Sequence, residues 1–451
     1  MSRKSFSWVL LLAMLLPLIA GACATPTPEV TEPPVTGAFE NVDPSGQTVV
    51  FWHVWGSGTP SEGLTAIVDD FNATNEWGIT VELVDQGRYS DVEDSMNAAI
   101  QSGDLPDMVV GYTNALDTWY SVGSLTDITP YVEDPIVGLT ADDLADFYEG
   151  VWSNGIGSDG ARVGFPHGQS ANVLFYNYTW GQELGFDAAP GTWDEFAEQV
   201  CAATDAAAAD DDPDNDGMGG FVLYPAAENL VSWVGAFGED VLNDDQTAYS
   251  FDKPVIREVM GNLKELWDDG CAFPTDSYPN PEFATRKALI VASSTAGLPY
   301  QAGAFEDAAS TDEWGVIPFP GVDGMMAVDS YAQNSGIVAT TPEKMLATWL
   351  FIKWFTSPEI KATWIEASAY HPIRESTLPL LEDYIAANPL WSEGISVLPY
   401  GVAEPGWSSW GSVRRSVGDT FAAIIQGVPG DIPTLLAELD VTAAEALAET
   451  Q

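Results

Sequence analysis

The chain has 451 residues, which is too long for one compact core and suits two lobes with a tail. Hydrophobic residues make up 46% of the chain and charged residues only 18%, so most of it is expected to fold. The 67 acidic residues outnumber the 15 basic residues and give a formal net charge of -52. Such a charge disfavours nucleic acids and anionic membrane surfaces as partners, and it repels anionic ligands at long range.

The first residues predict export from the cytoplasm. Arg3 and Lys4 precede an apolar run over residues 8–19, which is too short to span a membrane comfortably. Small residues then lead into Cys23, a pattern that resembles a bacterial lipobox. We therefore predict a signal peptide over 1–22 and lipidation of Cys23. An ordinary signal peptide with an incidental cysteine is the alternative.

Proline and threonine dominate the segment that follows Cys23, and proline favours an extended chain that joins neither a helix nor a sheet. We assign residues 23–46 to a lipid-anchored linker. At ~3.1 Å per residue, such a linker lets the folded part stand ~60 Å from its anchor. The expected location is the outer face of the cytoplasmic membrane, facing either a periplasm or the open medium.

Two cysteines lie in the folded part, Cys201 and Cys271. Free thiols tend to become oxidised outside the cell, so a structural disulfide between the two is expected. Two buried thiols that lie too far apart to bridge are the alternative.

An acidic loop begins like a calcium-binding loop, with Asp212, Asp214 and Asp216 at alternate positions and Gly217 at the turn. The twelfth position, where an EF-hand has a bidentate acid, is Leu223, so the full motif fails. A solvated acidic loop and a structural Ca²⁺ site both remain open. No other cofactor is expected.

Strand and helix patterns alternate from residue 48. Short strands are predicted at 48–52, 79–84 and 108–110, with helices between them that carry apolar residues at helical spacing. A second block of the same kind extends over about 173–290, and the last hundred residues are helical. This alternation predicts an α/β sheet with helices on both faces.

Four segments resemble the bacterial family 1 extracellular solute-binding proteins, the group that contains the maltose- and glycerol-3-phosphate-binding proteins. They are the Phe-Trp-His-Val-Trp-Gly segment at 51–56, the Ser-Gly-Asp-Leu-Pro-Asp turn and strand at 102–110, the segment over 164–196 and the Tyr-His-Pro-Ile-Arg turn at 370–374. Their order and spacing carry the resemblance over roughly residues 47–430. It implies an α/β, periplasmic-binding-protein-like fold of two lobes with a hinge and a ligand cleft between them.

The resemblance also implies a division into lobes. Lobe 1 is expected over 47–165 plus 295–335, and lobe 2 over 166–294 plus 336–451. The chain is expected to cross between the lobes near 166–172, 292–295 and 333–336.

By the same resemblance the chain is the extracellular substrate-binding component of an ABC importer. It would capture a carbohydrate by closure of the cleft and deliver it to membrane permease subunits, as a monomer. A glycerol-3-phosphate- or polyol-binding protein of the same fold is the alternative. Thr113 replaces the acidic residue of the glycerol-3-phosphate branch, and the negative charge favours a neutral ligand.

Sugar recognition combines aromatic faces with polar side chains that bind hydroxyl groups. Trp410 and Arg414 lie four residues apart, a spacing that places both on one face of a helix. Core packing is the competing interpretation of every tryptophan, since large aromatic side chains are usually buried. The resemblance implies which residues lie at the family's cleft, and the complete set of ligand-binding residues predicted from it is Trp55, Tyr112, Asn114, Trp233, Ser294, Tyr370, Trp410 and Arg414.

Two other classes of function are considered. A secreted glycoside-degrading enzyme needs two carboxylates at a defined separation, and no nucleophile, zinc or nucleotide motif accompanies the many acidic residues. The three histidines, His53, His167 and His371, lie far apart in the sequence without metal-ligand spacing. We therefore expect no catalysis. A binding protein that serves a sensor kinase would share the fold and is not distinguished by sequence.

Overall fold

A computed structural model describes residues 37–211, 213, 215, 217–275, 278–427 and 430–450. The signal peptide, Cys23, the first part of the linker and the three aspartates of the acidic loop lie outside the described residues. The strands are β1 (Thr48–His53), β2 (Thr80–Asp85), β3 (Met108–Gly111), β4 (Phe165–Asn177), β5 (Gly219–Val222), β6 (Ala272–Phe273), β7 (Ala288–Ser294), β8 (Trp314–Ile317), β9 (Phe319–Pro320), β10 (Met326–Ile337) and β11 (Gly401–Ala403).

The helices alternate with these strands in the first two thirds of the chain and dominate the last third. They are α1 (Gly58–Thr74), α2 (Tyr89–Ser102), α3 (Thr113–Ser121), α4 (Thr129–Val132), α5 (Ala141–Ala145), α6 (Glu149–Trp152), α7 (Tyr178–Glu183), α8 (Trp193–Ala209), α9 (Ala227–Ala236), α10 (Pro254–Asp268), α11 (Asn280–Ala284), α12 (Leu298–Asp307), α13 (Pro342–Phe355), α14 (Pro358–Ser368), α15 (Glu382–Ala387), α16 (Pro389–Ser396), α17 (Trp410–Ile425) and α18 (Ile432–Glu449).

The sheet has two parallel ends joined by two long antiparallel strands. Its strand order is β2-β1-β3-β10-β4-β7-β5-β6, with β8 on β4 and with β9 and β11 on β10. Strands β1, β2 and β3 pair in parallel at one end, and β5, β6 and β7 do so at the other. The central strands β4 and β10 pair with each other; β10 also pairs with β3 at one end, and β4 pairs with β7 at the other. Each parallel end is the centre of one lobe, and β4 and β10 cross between them.

The core of the first lobe follows from the predicted patterns. Alternate residues of β1 are buried, and α1 places Leu64, Ile67, Val68 and Phe71 against them at helical spacing. The helices of the second lobe bury similar stripes, and α9 is buried on nearly all sides.

Strands β4 and β10 span the expected crossings near 166–172 and 333–336, but α12 and α13 each lie against the other lobe from the one expected. Helix α12 packs against Phe175 and Phe283 of lobe 2, and β8 pairs with the end of β4, although 295–335 was assigned to lobe 1. Helix α13 packs in the core of lobe 1 beside Phe51, although 336–451 was assigned to lobe 2. Because α13 is apolar on almost every side, its sequence does not show which sheet face it covers.

Cys201, on α8, and Cys271, just before β6, form a disulfide with an Sγ–Sγ distance of 1.98 Å. This is the pairing expected from the sequence. It joins two positions 70 residues apart and ties α8 to the edge of the second lobe's sheet.

Candidate functional site

Tyrosine rings from lobe 1 and from a crossing strand meet where the parallel strands of lobe 1 end. Tyr112 directly follows β3, and Tyr89 begins α2 after β2. Their ring centroids lie 4.6 Å apart, and the ring of Tyr331 on β10 lies 5.9 Å from that of Tyr112. Carboxyl ends of parallel strands are a common place for ligand sites. We call Tyr89, Tyr112 and Tyr331 the tyrosine cluster.

Arg414 approaches the tyrosine cluster from lobe 2. Its guanidinium carbon lies 5.9 Å from the centroid of the Tyr112 ring. Nε of Arg414 donates to Oε1 of Glu404 at 2.7 Å, and Nη2 donates to Oε2 of Glu228 at 2.8 Å. Burial disfavours the charge of Arg414, but the two carboxylates outweigh it and raise the pKa of the guanidinium well above its usual value. Arg414 is therefore a cation already paired with two anions.

Asp329 adds a third carboxyl to this network. It lies on β10, is fully buried, and its backbone N–H donates to Oγ of Ser232. Burial, followed by the nearby charge of Glu404, raises the pKa of the Asp329 carboxyl well above its usual value. We call Asp329, Glu228, Glu404 and Arg414 the acidic network.

Contacts across the cleft join the two lobes around this site. A Cβ at Gly411 of α17 would lie 3.1 Å from Nδ2 of Asn114 on α3. One turn further along α17, Nη1 of Arg415 lies 3.5 Å from Oε2 of Glu93 in lobe 1. On another side, the guanidinium of Arg88 lies 4.6 Å above the ring of Tyr278. The described conformation thus has the lobes in contact on more than one side of the tyrosine cluster.

Of the eight predicted ligand-binding residues, Tyr112 and Arg414 meet at the cleft, and Asn114 lies beside them at the α3–α17 contact. Tyr370 is buried but lies near the cluster, since it influences the pKa of Tyr89. Ser294 is half-buried at the end of β7, opposite Asn172 of β4.

The three predicted tryptophans occupy hydrophobic cores, so their expected contact with ligand is not supported. Trp233 and Trp410 are each 1% exposed in the core of lobe 2. Trp55 is buried in lobe 1, where its ring packs against Trp364 and its Nε1 donates to Oη of Tyr370 at 3.1 Å. Trp55 therefore supports Tyr370 from behind. Their burial agrees with the competing interpretation, core packing.

The sequence did not single out Tyr89, Tyr331, Glu228, Asp329 or Glu404. They come from four separate elements or loops, and only the folded chain brings them together. One signal was available for two of them: β10 is a long strand in which polar residues replace the usual apolar alternation, as in 329–335. A polar crossing strand is unusual enough to indicate a lined cleft.

Comparison with known proteins also indicates a solute-binding protein. The family model described as "Bacterial extracellular solute-binding protein" matches residues 66–391. The chain belongs to this family. Membership of an extracellular family means that this solute-binding protein works outside the cytoplasm, and the family binds solutes rather than transforming them.

Two curated relatives show moderate similarity to this solute-binding protein. It is 24% identical over 298 residues to the erythritol/L-threitol-binding protein of Mycolicibacterium smegmatis, a match that covers 62% of this chain and only 58% of that relative. It is 24% identical over 359 residues to the sn-glycerol-3-phosphate-binding periplasmic protein of Yersinia pestis, covering 74% of this chain and 75% of the relative.

Among solved structures, the GacH receptor of Streptomyces glaucescens, crystallised unliganded and with acarbose, has a TM-score of 0.76 and 16% identity to this chain. The match covers 90% of this chain and 99% of the receptor. It establishes the two-lobed fold. In the part of the chain that the structure describes, no helix is sufficiently long and apolar to cross a membrane. The same residues contain no cluster of His, Cys, Asp and Glu suited to a metal ion.

All three histidines of this solute-binding protein are buried and predict a loss of stability in mild acid. Burial lowers the pKa of His53 to about 4 and that of His371 to about 3, and it lowers the pKa of His167 as well. In the unfolded chain each histidine has a pKa of ~6.5. Between that pH and its lower folded pKa, the side chain binds a proton only when the protein is unfolded. Stability is therefore lost as the pH falls from ~6.5 towards these folded values.

His371→Gln, which carries no titrating group, isolates one of these contributions. Between pH ~7.5 and ~5.5 the wild type is expected to lose about 1.4 kcal/mol more of its unfolding free energy than this variant. Urea unfolding at both pH values measures the difference. Asp329 acts in the opposite direction but is present in both proteins. An equal pH dependence of variant and wild type would contradict the assignment.

Proposed function

We propose that this solute-binding protein is the substrate-binding component of an ABC importer and captures a carbohydrate or polyol in the cleft between its lobes. The observation that carries the proposal is the combination of the tyrosine cluster with an Arg414 that is already paired with two carboxylates. Aromatic faces suit the apolar faces of sugar rings, and carboxylates accept hydrogen bonds from hydroxyl groups.

The hydrogen bonds of Arg414 also argue against glycerol-3-phosphate as the ligand. A phosphate site needs cations with free donors, whereas Nε and Nη2 of Arg414 already donate to Glu404 and Glu228. With Asp329 beside them, the acidic network contains three carboxyls and one guanidinium. An anion would enter a site whose own charge is negative. The similarity to the erythritol/L-threitol-binding relative and the fold shared with the acarbose-binding receptor support the saccharide or polyol class.

A thermal-shift screen of the chain without its signal peptide tests this proposal, using monosaccharides, oligosaccharides, polyols and glycerol-3-phosphate. A ligand of the folded state adds about 2.7 kcal/mol of stability at a hundredfold excess over its dissociation constant. We expect a shift with a neutral saccharide or polyol that Tyr112→Ala abolishes. Tyr120→Ala, which removes a ring at the opposite end of α3 from Tyr112, should leave it intact. A shift with glycerol-3-phosphate alone would overturn the ligand class, and no shift at all would leave the carbohydrate proposal without support.

We also propose that Cys23 carries a lipid that holds the protein at the outer face of the membrane. The positive first residues, the apolar run over 8–19 and the small residues before Cys23 support this proposal, and the proline-rich segment after it supplies the tether. Cys23→Ser is expected to lose incorporation of labelled palmitate and to appear in the soluble fraction of cells that express it. Retention of the label in that variant would contradict lipidation at Cys23.

A further inference from the structure

One face of β10 presents buried hydrogen-bond acceptors that the described residues do not fully satisfy. Asp329, Tyr331 and Gln333 alternate along the strand and therefore point to the same side. Oε1 of Gln333 is buried without a hydrogen-bond donor among the described residues, and the carboxyl of Asp329 has only the neighbouring carboxyl of Glu404 with which to share a proton. A buried acceptor left unsatisfied costs about 1–3 kcal/mol. Tyr331, between them, belongs to the tyrosine cluster, so this face of β10 lines the ligand cleft.

The charges around Asp329 distinguish it from an ordinary acceptor of a sugar hydroxyl. The single guanidinium of the acidic network is bound by Glu404 and Glu228, which leaves the third carboxyl without a cation of its own. Two other cations at the contacts between the lobes have partners of their own, Arg415 beside Glu93 and Arg88 over Tyr278. Such a buried carboxyl either stays protonated or meets a cation that a ligand brings.

The surroundings of Asp329 favour a ligand with a positive charge. The faces of the Tyr331 and Tyr112 rings are electron-rich and attract ammonium groups within ~6 Å. At longer range, the formal net charge of -52 raises the local concentration of cations around the protein. An ammonium group donates three hydrogen bonds, whereas a hydroxyl donates one, so it satisfies acceptors that the described side chains do not fully satisfy.

We propose that the ligand is a carbohydrate or polyol that bears a basic amine, in the simplest case an amino sugar, and that Asp329 binds its ammonium group. This inference rests on the proposed carbohydrate function and makes it more specific. Asp329 then decides specificity between an amino sugar and its neutral counterpart, while the tyrosine cluster binds the ring that both share.

Isothermal titration of the chain without its signal peptide, at pH ~7, tests this inference with matched pairs of ligands. The pairs are glucosamine and glucose, galactosamine and galactose, and mannosamine and mannose, each with the N-acetylated amino sugar as a third member. N-acetylation keeps the substituent but removes its charge. We expect at least one amino sugar to bind tenfold or more tightly than both its hydroxyl and its N-acetyl counterparts.

Asp329→Asn is expected to abolish that preference, since the amide retains the shape of the protonated acid but can carry no negative charge. Asp69→Asn removes an exposed acid of α1 and should keep the preference, which controls for the net charge. Equal or tighter binding of the neutral member in every pair, or a preference that survives in Asp329→Asn, would overturn the amine inference alone. If neither these sugars nor the wider saccharide and polyol panel bind, the proposed function fails with it.

Discussion

Trp410→Ala is expected to lower the free energy of unfolding by about 3–5 kcal/mol, the usual cost of removing a buried tryptophan. The Trp410 ring is 1% exposed and stacks on Tyr249 with centroids 5.8 Å apart. It also packs with Val413 and Val417 in the core of lobe 2. Because the ring does not face the cleft, the affinity of the folded variant for its ligand should change much less than its stability.

Urea unfolding followed by circular dichroism measures the stability, and titration well below the unfolding midpoint measures the affinity. Trp407→Ala is the matched control, since Trp407 contacts the same Tyr249 ring at 4.8 Å but is only partly buried. Trp407→Ala should lower the free energy of unfolding clearly less than Trp410→Ala does. If Trp410→Ala kept its stability and lost the ligand, the ring would belong to the site after all, as the spacing of 410 and 414 first indicated.

The sequence predicted the elements that local pattern determines. The apolar run over 48–52 and the helical spacing over 64–71 correspond to β1 and α1. The lobe to which α12 and α13 belong was not predictable in this way. An amphipathic or fully apolar helix specifies how much of it is buried, but the sheet that buries it is chosen by long-range packing.

The site was predictable only in part for a related reason. On α17, positions 410, 413, 417, 421 and 424 form one buried stripe, and that spacing alone could have assigned Trp410 to the core. Arg414 lies at the edge of the stripe, where its long side chain reaches Glu228 and the ring of Tyr112. Tyr112 was found because it follows a parallel strand. Asp329 was missed because its importance arises from partners on other segments, Glu228 and Glu404.

These placements give the two neighbouring arginines of α17 opposite roles. Arg415 is 68% exposed and reaches Glu93 across the cleft at 3.5 Å, an arrangement worth at most about 1 kcal/mol in water. Arg414 is 26% exposed and is bonded to Glu404 and Glu228 at 2.7 and 2.8 Å. Removing it leaves these carboxylates facing each other next to Asp329. Like charges in a partly buried space repel strongly, and no other described cation replaces the guanidinium.

Arg414→Ala is therefore expected to lower the free energy of unfolding by about 2–4 kcal/mol, since a paired charge in a largely buried network loses its partner. It should also weaken ligand binding, because the displaced carboxylates no longer hold the surface beside Tyr112 in one arrangement. Arg415→Ala, which makes the same change one residue later, should cost less than about 0.5–1 kcal/mol and affect affinity only slightly. Urea unfolding and titration of both variants compare them directly.

Equal effects of the two substitutions would show that Arg414 is an ordinary surface arginine and that the acidic network does not organise the cleft. Lowering the pH separates repulsion from lost packing. As carboxyls of the network take up protons, the stability deficit of Arg414→Ala relative to wild type should shrink, whereas a deficit caused by lost packing would stay constant. A deficit that shrinks on acidification would identify Arg414 as the counterion that makes a carboxylate-rich cleft compatible with a folded protein.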